Sequence, residues 1–174
     1  MLFANLSFAL TEGQALQVAG SNGIGKSSLI RIVAGLMPAF AGNVERIGEI
    51  GLIDERPALD PSLPLGKALE LWQRIDGPAD NELARLGLSH LMDVPVRYLS
   101  TGQKKRAALA RLIGQRAPVW LLDEPLNGLD GHAVKLTETL AAEHCAAGGI
   151  CVIASHQSFT MSGMKRLELL DFVA

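Results

Sequence analysis

The sequence predicts an α/β fold built on a mainly parallel sheet, with a small helical part inserted into it. Short apolar runs that suit buried strands alternate along the chain with stretches whose apolar residues recur at helical spacing. Between residues 56 and 115 the strand-like runs give way to prolines and then to helical patterns. Alternating strands and helices are typical of parallel sheets, because parallel strands need a crossover connection.

The composition indicates one folded domain of ordinary size. The chain has 174 residues, of which 48% are hydrophobic and 20% charged, and these values exclude intrinsic disorder. A net charge of −2 and 5% aromatic residues provide neither a basic field nor a stacking platform, so we expect no nucleic-acid partner. The two cysteines, Cys145 and Cys151, are too few for a disulfide scaffold. We expect no signal peptide and no membrane span, since the apolar runs are short.

Strands are predicted wherever a short apolar run is bounded by turn residues. The turn at 11–13 separates the first two strands, and the unbroken apolar run at 119–122 suits a buried parallel strand. In chain order the predicted strands cover residues 5–10, 15–19, 44–47, 50–53, 118–122, 150–154 and 167–172.

Helices are predicted from apolar spacing and from their end signals. Leu29, Ile32, Val33 and Leu36 share one helical face, and the glycine pair at 148–149 ends the last helix. The predicted helices cover residues 26–36, 67–75, 81–86, 101–115 and 132–147. We therefore expect a single domain over 1–174, with a core of about 1–55 and 116–174 and a helical subdomain of about 56–115.

Residues 20–27 match a phosphate-binding loop. The run Gly20-Ser21-Asn22-Gly23-Ile24-Gly25-Lys26-Ser27 fits G-x-x-x-x-G-K-[ST] and lies between a predicted strand and a predicted helix. Its backbone amides and the helix N-terminus favour phosphate, and we count Ser28 among the nucleotide-binding residues. Lys26 is expected to reach the β- and γ-phosphates, and Ser27 to ligate Mg²⁺. The loop predicts a RecA-like P-loop NTPase core that binds ATP and Mg²⁺.

A second acidic element lies at the end of the apolar run at 119–122. The run delivers Asp123 and Glu124 to the carboxyl end of a strand, where ligands bind in open α/β sheets. Asp123 is expected to hold the metal, and Glu124 to orient or deprotonate the attacking water.

Residues 99–103 read Leu-Ser-Thr-Gly-Gln and precede an Ala- and Leu-rich helix that carries Arg106. With these residues the sequence resembles the ABC-type ATPases, whose LSGGQ signature is followed two residues later by arginine. Thr101 replaces the third signature residue. The family's later elements follow in order: LLDEP at 121–125, the loop that ends at Asp130, and His156 after a strand.

The resemblance implies a head-to-tail homodimer that holds two ATP molecules at its interface. Each ATP would lie on the phosphate loop of one subunit and face the signature of the other. His156 would contact the γ-phosphate and help position water, and Asp130 would link the two sites. The signature residues expected on the partner's nucleotide are Ser100, Thr101, Gly102 and Gln103.

Two positions depart from the family. The family has a glutamine at the junction between core and helical insert, and Arg56 falls at that place here. The family also stacks adenine on an aromatic residue of an N-terminal strand, which would precede residue 1 in this chain. Phe3 and Phe8 are too close to Gly20 for that role, and we expect them in the core.

Within the family, the sequence resembles the ATP-binding subunits of bacterial haem exporters of cytochrome c maturation. The features in common include SNGIGKSSLIRIVAGL, LSTGQKKRAALARL, LLDEPLNGLD, and Ser-His-Gln around His156. This resemblance implies an integral-membrane permease and cytochrome c maturation proteins as partners, and a peripheral location on the cytoplasmic side of the inner membrane.

Four alternatives stay open at this point. One is another small ABC exporter, and another is a soluble non-transport ABC ATPase, which usually has two fused halves or a coiled-coil insert. A P-loop kinase or GTPase would lack the signature helix, and a GTPase would need NKxD, which this sequence does not contain. The fourth is a subunit that binds ATP without hydrolysing it.

Overall fold

The computed structural model describes residues 2–77 and 80–173, and within them it contains one five-stranded sheet. The order is β2-β3-β4-β1-β5, and every neighbouring pair is parallel. The ends of the predicted domain, residues 1 and 174, lie outside the described residues, as do 78 and 79. The strands are β1 (Ala15–Ala19), β2 (Ile50–Ile53), β3 (Val119–Asp123), β4 (Ile150–Ser155) and β5 (Lys165–Glu168).

The strand register brings the carboxyl ends of three strands to one edge of the sheet. Ala19 of β1 lies opposite Ser155 of β4, and Asp123 of β3 lies opposite Ala154. β4 is therefore flanked on both sides by strands that end at the same level. The segments that follow β1, β3 and β4 meet there, where open parallel sheets bind ligands.

Helices cover both faces of the sheet. On one face Leu29 and Ile30 of α1 pack with apolar residues of β1, β3 and β4. On the other face lie α4, α5 and the inserted helices. In the described part of the chain no helix combines the length and the apolar run needed to cross a bilayer. The helices are α1 (Lys26–Val33), α2 (Leu65–Asp76), α3 (Asp80–Arg85), α4 (Thr101–Gln115) and α5 (Gly131–Ala146).

The inserted helices share a continuous apolar core with one face of the sheet. Leu65 and Leu69 of α2 are buried in the same cluster as Ile53 and Leu122 of the sheet. α4 packs directly on β2, since a Cβ built on Gly51 would lie 2.3 Å from Leu112 Cδ1. The division into a core and a helical subdomain at residues 55 and 115 stays a prediction.

Two predicted strands are wrong, because neither segment has a partner strand among the described residues. Residues 5–10 form no strand. Leu6, Phe8 and Leu10 nevertheless pack against the core that contains Leu29 and Ile30 of α1, as does Phe3. In the segment 44–47, Arg46 donates hydrogen bonds of 2.6 Å to the carbonyls of Ile32 and Val33 at the end of α1. The Arg46 side chain, and not hydrogen bonds to a neighbouring strand, therefore holds this segment in place. Ile47 is exposed.

Two further element ends differ from the prediction by three residues or more, whereas the other boundaries agree within two residues. The final strand ends at Glu168, and a 3-10 turn over Leu169–Phe172 takes the remaining residues because Leu169 turns into the core. α1 ends at Val33, three residues early, because Gly35 adopts a φ of 77° that stops the helix.

The entry into β4 depends on a glycine that lies against a histidine ring. The His144 ring stacks on Trp120 with centroids 4.0 Å apart, and its Nε2 lies 3.2 Å from the Pro118 carbonyl oxygen. Burial lowers the pKa of His144, which favours the neutral ring. A Cβ built on Gly149 would lie 2.2 Å from His144 Nε2, so only glycine fits without moving the ring.

We expect Gly149→Ala to lower the free energy of unfolding by about 1–3 kcal/mol through overpacking. Urea unfolding measures this change. The matched control is Gly131→Ala in the first turn of α5, where a Cβ meets nothing within 4 Å. The control should change stability by less than about 0.5 kcal/mol, and equal effects of the two substitutions would contradict the steric argument.

Candidate functional site

The phosphate loop connects β1 to α1 and is shaped by its glycines. Gly25 is the N-cap of α1 with a φ of 115°, a conformation that L side chains avoid. A Cβ at Gly25 would also lie 3.4 Å from the Phe3 ring, so the core packs tightly behind the loop. The Lys26 ammonium folds back over the loop and donates to the carbonyls of Gly20 (2.9 Å) and Ser21 (3.0 Å).

A chain of polar contacts joins the ends of β1, β3 and β4. Lys26 Nζ lies 3.0 Å from Glu124 Oε1, and both side chains are buried, with 5% and 9% exposed. Glu124 Oε2 lies 2.8 Å from Nδ1 of His156, whose side chain is 34% exposed. The three residues predicted as catalytic are thus in contact, with Glu124 in the middle.

Asp123 lies beside the phosphate loop in a setting that suits a cation. Burial raises the pKa of Asp123, as do the nearby carboxylates of Glu124 and Glu55, while a hydrogen bond from Ser27 and the Lys105 ammonium lower it. Its Oδ1 is buried and accepts no hydrogen bond from the described residues. A buried carboxylate oxygen without a partner, next to a serine hydroxyl, fits the oxygen ligands that Mg²⁺ prefers.

The signature residues form the start of α4 and contact a different loop. Ser100 caps the helix in a reciprocal box, accepting from the Gln103 amide at 3.2 Å while its own amide donates to Gln103 Oε1 at 2.8 Å. Thr101 and Gly102 pack on Gly128: a Cβ on Gly102 would lie 2.7 Å from the Gly128 carbonyl oxygen. Ser100 and Thr101 are exposed to solvent.

Asp130 has a structural contact in this chain. Its carboxylate accepts a hydrogen bond of 2.8 Å from the amide of Ala133 and caps the N-terminus of α5. Asp130 is exposed, as are Ser21, Asn22 and Gly23 at the tip of the phosphate loop. Ile24, Ser27 and Ser28 are half-buried. Arg56, at the place of the family's glutamine, is exposed, and its amide donates to Asp54 Oδ1 at 2.9 Å.

Sequence reasoning missed two residues at this site. Gln157 donates a hydrogen bond of 3.1 Å to Asn127 Oδ1 and so ties the segment after β4 to the loop after β3. Lys105 of α4 is buried beneath Glu124, and its ammonium donates to the Glu124 carbonyl at 2.6 Å. A signal for Lys105 was available, since it shares the buried face of α4 with Leu109 and Leu112 at helical spacing.

The comparisons with known proteins agree on one family. A family model described as ABC transporter matches residues 3–127. The chain is 55% identical to a protein of Novosphingobium aromaticivorans named cytochrome c biogenesis ATP-binding export protein CcmA, covering 99% of this chain and 90% of that protein. A protein of Zymomonas mobilis with the same name is 46% identical, covering 100% of this chain and 80% of that protein.

A solved structure supports the fold assignment. The structure of an ATP-binding subunit of an ABC transporter superposes with a TM-score of 0.76 at 24% identity, covering 89% of this chain and 73% of that one. The predicted P-loop NTPase fold is confirmed by this likeness. Together with the family model and the two relatives, it shows that the chain belongs to the ABC transporter family of ATP-binding proteins, among the cytochrome c biogenesis ATP-binding export proteins.

Proposed function

We propose that this chain is the ATP-hydrolysing subunit of a membrane transporter that serves c-type cytochrome biogenesis. The observation that carries the proposal is the contact chain Lys26–Glu124–His156 at the carboxyl ends of three strands. It joins a phosphate-binding lysine to a carboxylate that can accept a proton from water. It also includes a histidine that can hold this carboxylate and position the water. The cytochrome c branch of the proposal rests on the names of the relatives.

In the mechanism we propose, the triphosphate competes with Glu124 for Lys26. The Lys26 ammonium is paired with the Glu124 carboxylate and donates hydrogen bonds to two loop carbonyls. When the β- and γ-phosphates accept the hydrogen bonds of Lys26, the Glu124 carboxylate is released from the ion pair and can accept a hydrogen bond from the attacking water. His156, held by Glu124, is placed to touch the γ-phosphate. The base is thereby activated by the presence of its substrate.

Mg²⁺ is the expected second ligand of this site. We propose that Ser27 and Asp123 hold it, because they supply a hydroxyl and an unpartnered buried carboxylate oxygen beside the loop. The ion would neutralise charge on the phosphate oxygens and relieve the cost of burying Asp123.

A second copy of the chain is needed to complete each site in this proposal. The signature residues Ser100 to Gln103 lie at the exposed start of a helix, where amides and the helix dipole favour an anion. Thr101 and Gly102 pack on Gly128 of their own chain, and Ser100 and Thr101 are exposed to solvent. We propose that the signature residues bind the partner subunit's nucleotide in trans. Asp130, in the adjoining loop, would then lie at the subunit interface.

The remaining partners follow from the same assignment. We propose docking to an integral-membrane permease on the cytoplasmic face of the inner membrane and association with cytochrome c maturation proteins. We also propose that residues of about 56–115 form a helical subdomain, packed on the sheet. Another small ABC exporter and a soluble non-transport ATPase are the alternative functions. Capture of Glu124→Gln protein from detergent-solubilised membranes with ATP and Mg²⁺, followed by mass spectrometry, separates the three.

Recovery of a permease together with cytochrome c maturation proteins is the expected result of that capture. A different permease would discard the cytochrome c assignment but keep the transport function, and only soluble partners would discard both. Lys26→Ala protein serves as the control, since it should bind ATP weakly and should not hold the assembly.

We expect Glu124→Gln to lower kcat for ATP hydrolysis by about 10²- to 10⁴-fold, because an amide accepts no proton from water. ATP affinity should be kept or rise, since Lys26 loses a competing carboxylate. Phosphate release and equilibrium nucleotide binding measure the two effects, and gel filtration with ATP and Mg²⁺ should show a trapped dimer. Glu12→Gln, on an exposed turn, is the matched control. Hydrolysis by Glu124→Gln at the wild-type rate would remove Glu124 from the base role.

We expect Asp123→Asn to stabilise the protein without nucleotide at neutral pH while abolishing Mg²⁺-dependent hydrolysis. Burial raises the pKa of Asp123 above its ordinary value of 3.8, so the folded state loses stability as pH rises through that window. The variant has no charge to bury, and its advantage should therefore vanish below pH 3.8.

Thermal unfolding between acidic and neutral pH tests this, with and without ATP and Mg²⁺. The nucleotide and metal should stabilise the wild type far more than Asp123→Asn. Asp171→Asn, at an exposed site, controls for the loss of one charge. A variant less stable than the wild type at pH 7 would show that the Asp123 charge is well compensated in the folded protein.

A further inference from the structure

Lys105 is a buried cation directly beneath the catalytic edge of the sheet. It lies in the second turn of α4 with 9% of its surface exposed. Its ammonium donates to the main-chain carbonyl oxygen of Glu124 at 2.6 Å and approaches that of Asp123 at 3.5 Å. The side chain thus reaches the point where β3 ends.

Burying this ammonium is costly. Desolvation lowers the pKa of Lys105, and only the surrounding carboxylates of Asp123, Glu124, Glu55 and Asp54 act in the opposite direction. A methionine at this position would fill similar space without a charge to desolvate. The desolvation cost of Lys105 is therefore consistent with a role in fixing the main-chain carbonyls of Asp123 and Glu124, which accept its hydrogen bonds.

Glu124 has a main-chain conformation that needs such fixing. Its φ is +46°, in the left-handed region that a residue with a Cβ rarely adopts. Its amide donates to the Ala154 carbonyl oxygen at 2.8 Å, and its carbonyl accepts from Lys105. The peptide group before the Glu124 Cα is therefore held by β4, and the peptide group after it is held by Lys105 of α4. This turn directs the carboxylate toward Lys26 and His156.

We propose that Lys105 is a positioning residue that holds Glu124 in its left-handed turn and so keeps the carboxylate aimed at the attacking water. The inference rests on the proposed role of Glu124. The helix α4 would then have two roles, because its exposed start carries the signature residues and Lys105, one turn later, is bonded to the base of the same subunit.

The first test compares Lys105→Met, which keeps the apolar stem, with Lys105→Gln, which keeps a donor. We expect Lys105→Met to lower kcat about 10- to 100-fold, as for a small misplacement of a reacting group, with KM within about threefold of the wild type. Lys105→Gln should recover part of the loss. Lys135→Met, on the exposed face of α5, should leave kcat unchanged. A normal kcat in Lys105→Met, or an equal loss of nucleotide binding, would overturn the proposal.

A double-mutant cycle with Glu124→Gln shows whether Lys105 acts through Glu124. In that background Lys105→Met should cause no further fall in the residual rate, whereas an independent or merely structural role would multiply the two losses. In the same assay, the ATP hydrolysis rates of the wild type and Glu124→Gln alone test the proposed role of Glu124. Wild-type turnover in Glu124→Gln would overturn the base assignment without bearing on the Lys105 contact.

Amide hydrogen exchange tests the contact without any hydrolysis. We expect Lys105→Met to raise exchange in the segment 123–129 at least tenfold relative to the wild type, while exchange in β1 and α5 stays the same. Lys105→Gln should give an intermediate value and serves as the readout if the methionine variant does not fold. Unchanged exchange at 123–129 in the folded variants would refute the proposed positioning.

Discussion

The ion pair between Lys26 and Glu124 is the contact on which the arrangement of the site depends. Its atoms lie 3.0 Å apart, in surroundings that are almost closed to solvent. It joins the loop after β1 to the end of β3 across the intervening strand β4, which contributes His156. Because a buried charge that loses its partner is strongly destabilising, neither residue can change without stressing the other. An anion that replaces Glu124 at Lys26 relieves this constraint. A phosphate can do so, because it is negatively charged and its oxygens accept hydrogen bonds from an ammonium group.

The charges around the pair are arranged so that ligand binding completes them. Burial raises the pKa of Asp123, and its Oδ1 has no hydrogen-bond partner among the described residues. Burial lowers the pKa of Lys105, whose ammonium donates to the main-chain carbonyls of Glu124 and Asp123. Two carboxylates and two ammonium groups thus lie within one small region without satisfying each other fully. A metal ion bound together with a triphosphate would supply the counter-charge and the hydrogen-bond acceptors that these groups lack.

The parts of the site that depend on local sequence were predictable, and those that depend on distant partners were not. The phosphate loop and the acidic end of β3 follow from spacing, since each needs only a strand and a turn of defined chemistry. Alternate side chains of residues 5–10 do pack on the core, but a strand also requires a neighbour to pair with. The helical spacing of Lys105 with Leu109 and Leu112 indicates that Lys105 is buried, but not which groups it binds. Arg46 and Lys105 bind carbonyls 13–19 residues away, and no local pattern identifies such partners.

The contacts of α4 bear on how two sites in a dimer would communicate. Gly102 at its start lies on Gly128, and Lys105 one turn later holds Glu124, so the first turns of the helix and the loop 124–130 are fastened at two points. An anion bound at the signature would pull on the start of this helix. Because the Lys105 contact with Glu124 is short and buried, the displacement would reach the base of the same subunit directly. In a head-to-tail pair, the nucleotide on one phosphate loop would then adjust the base that serves the other nucleotide.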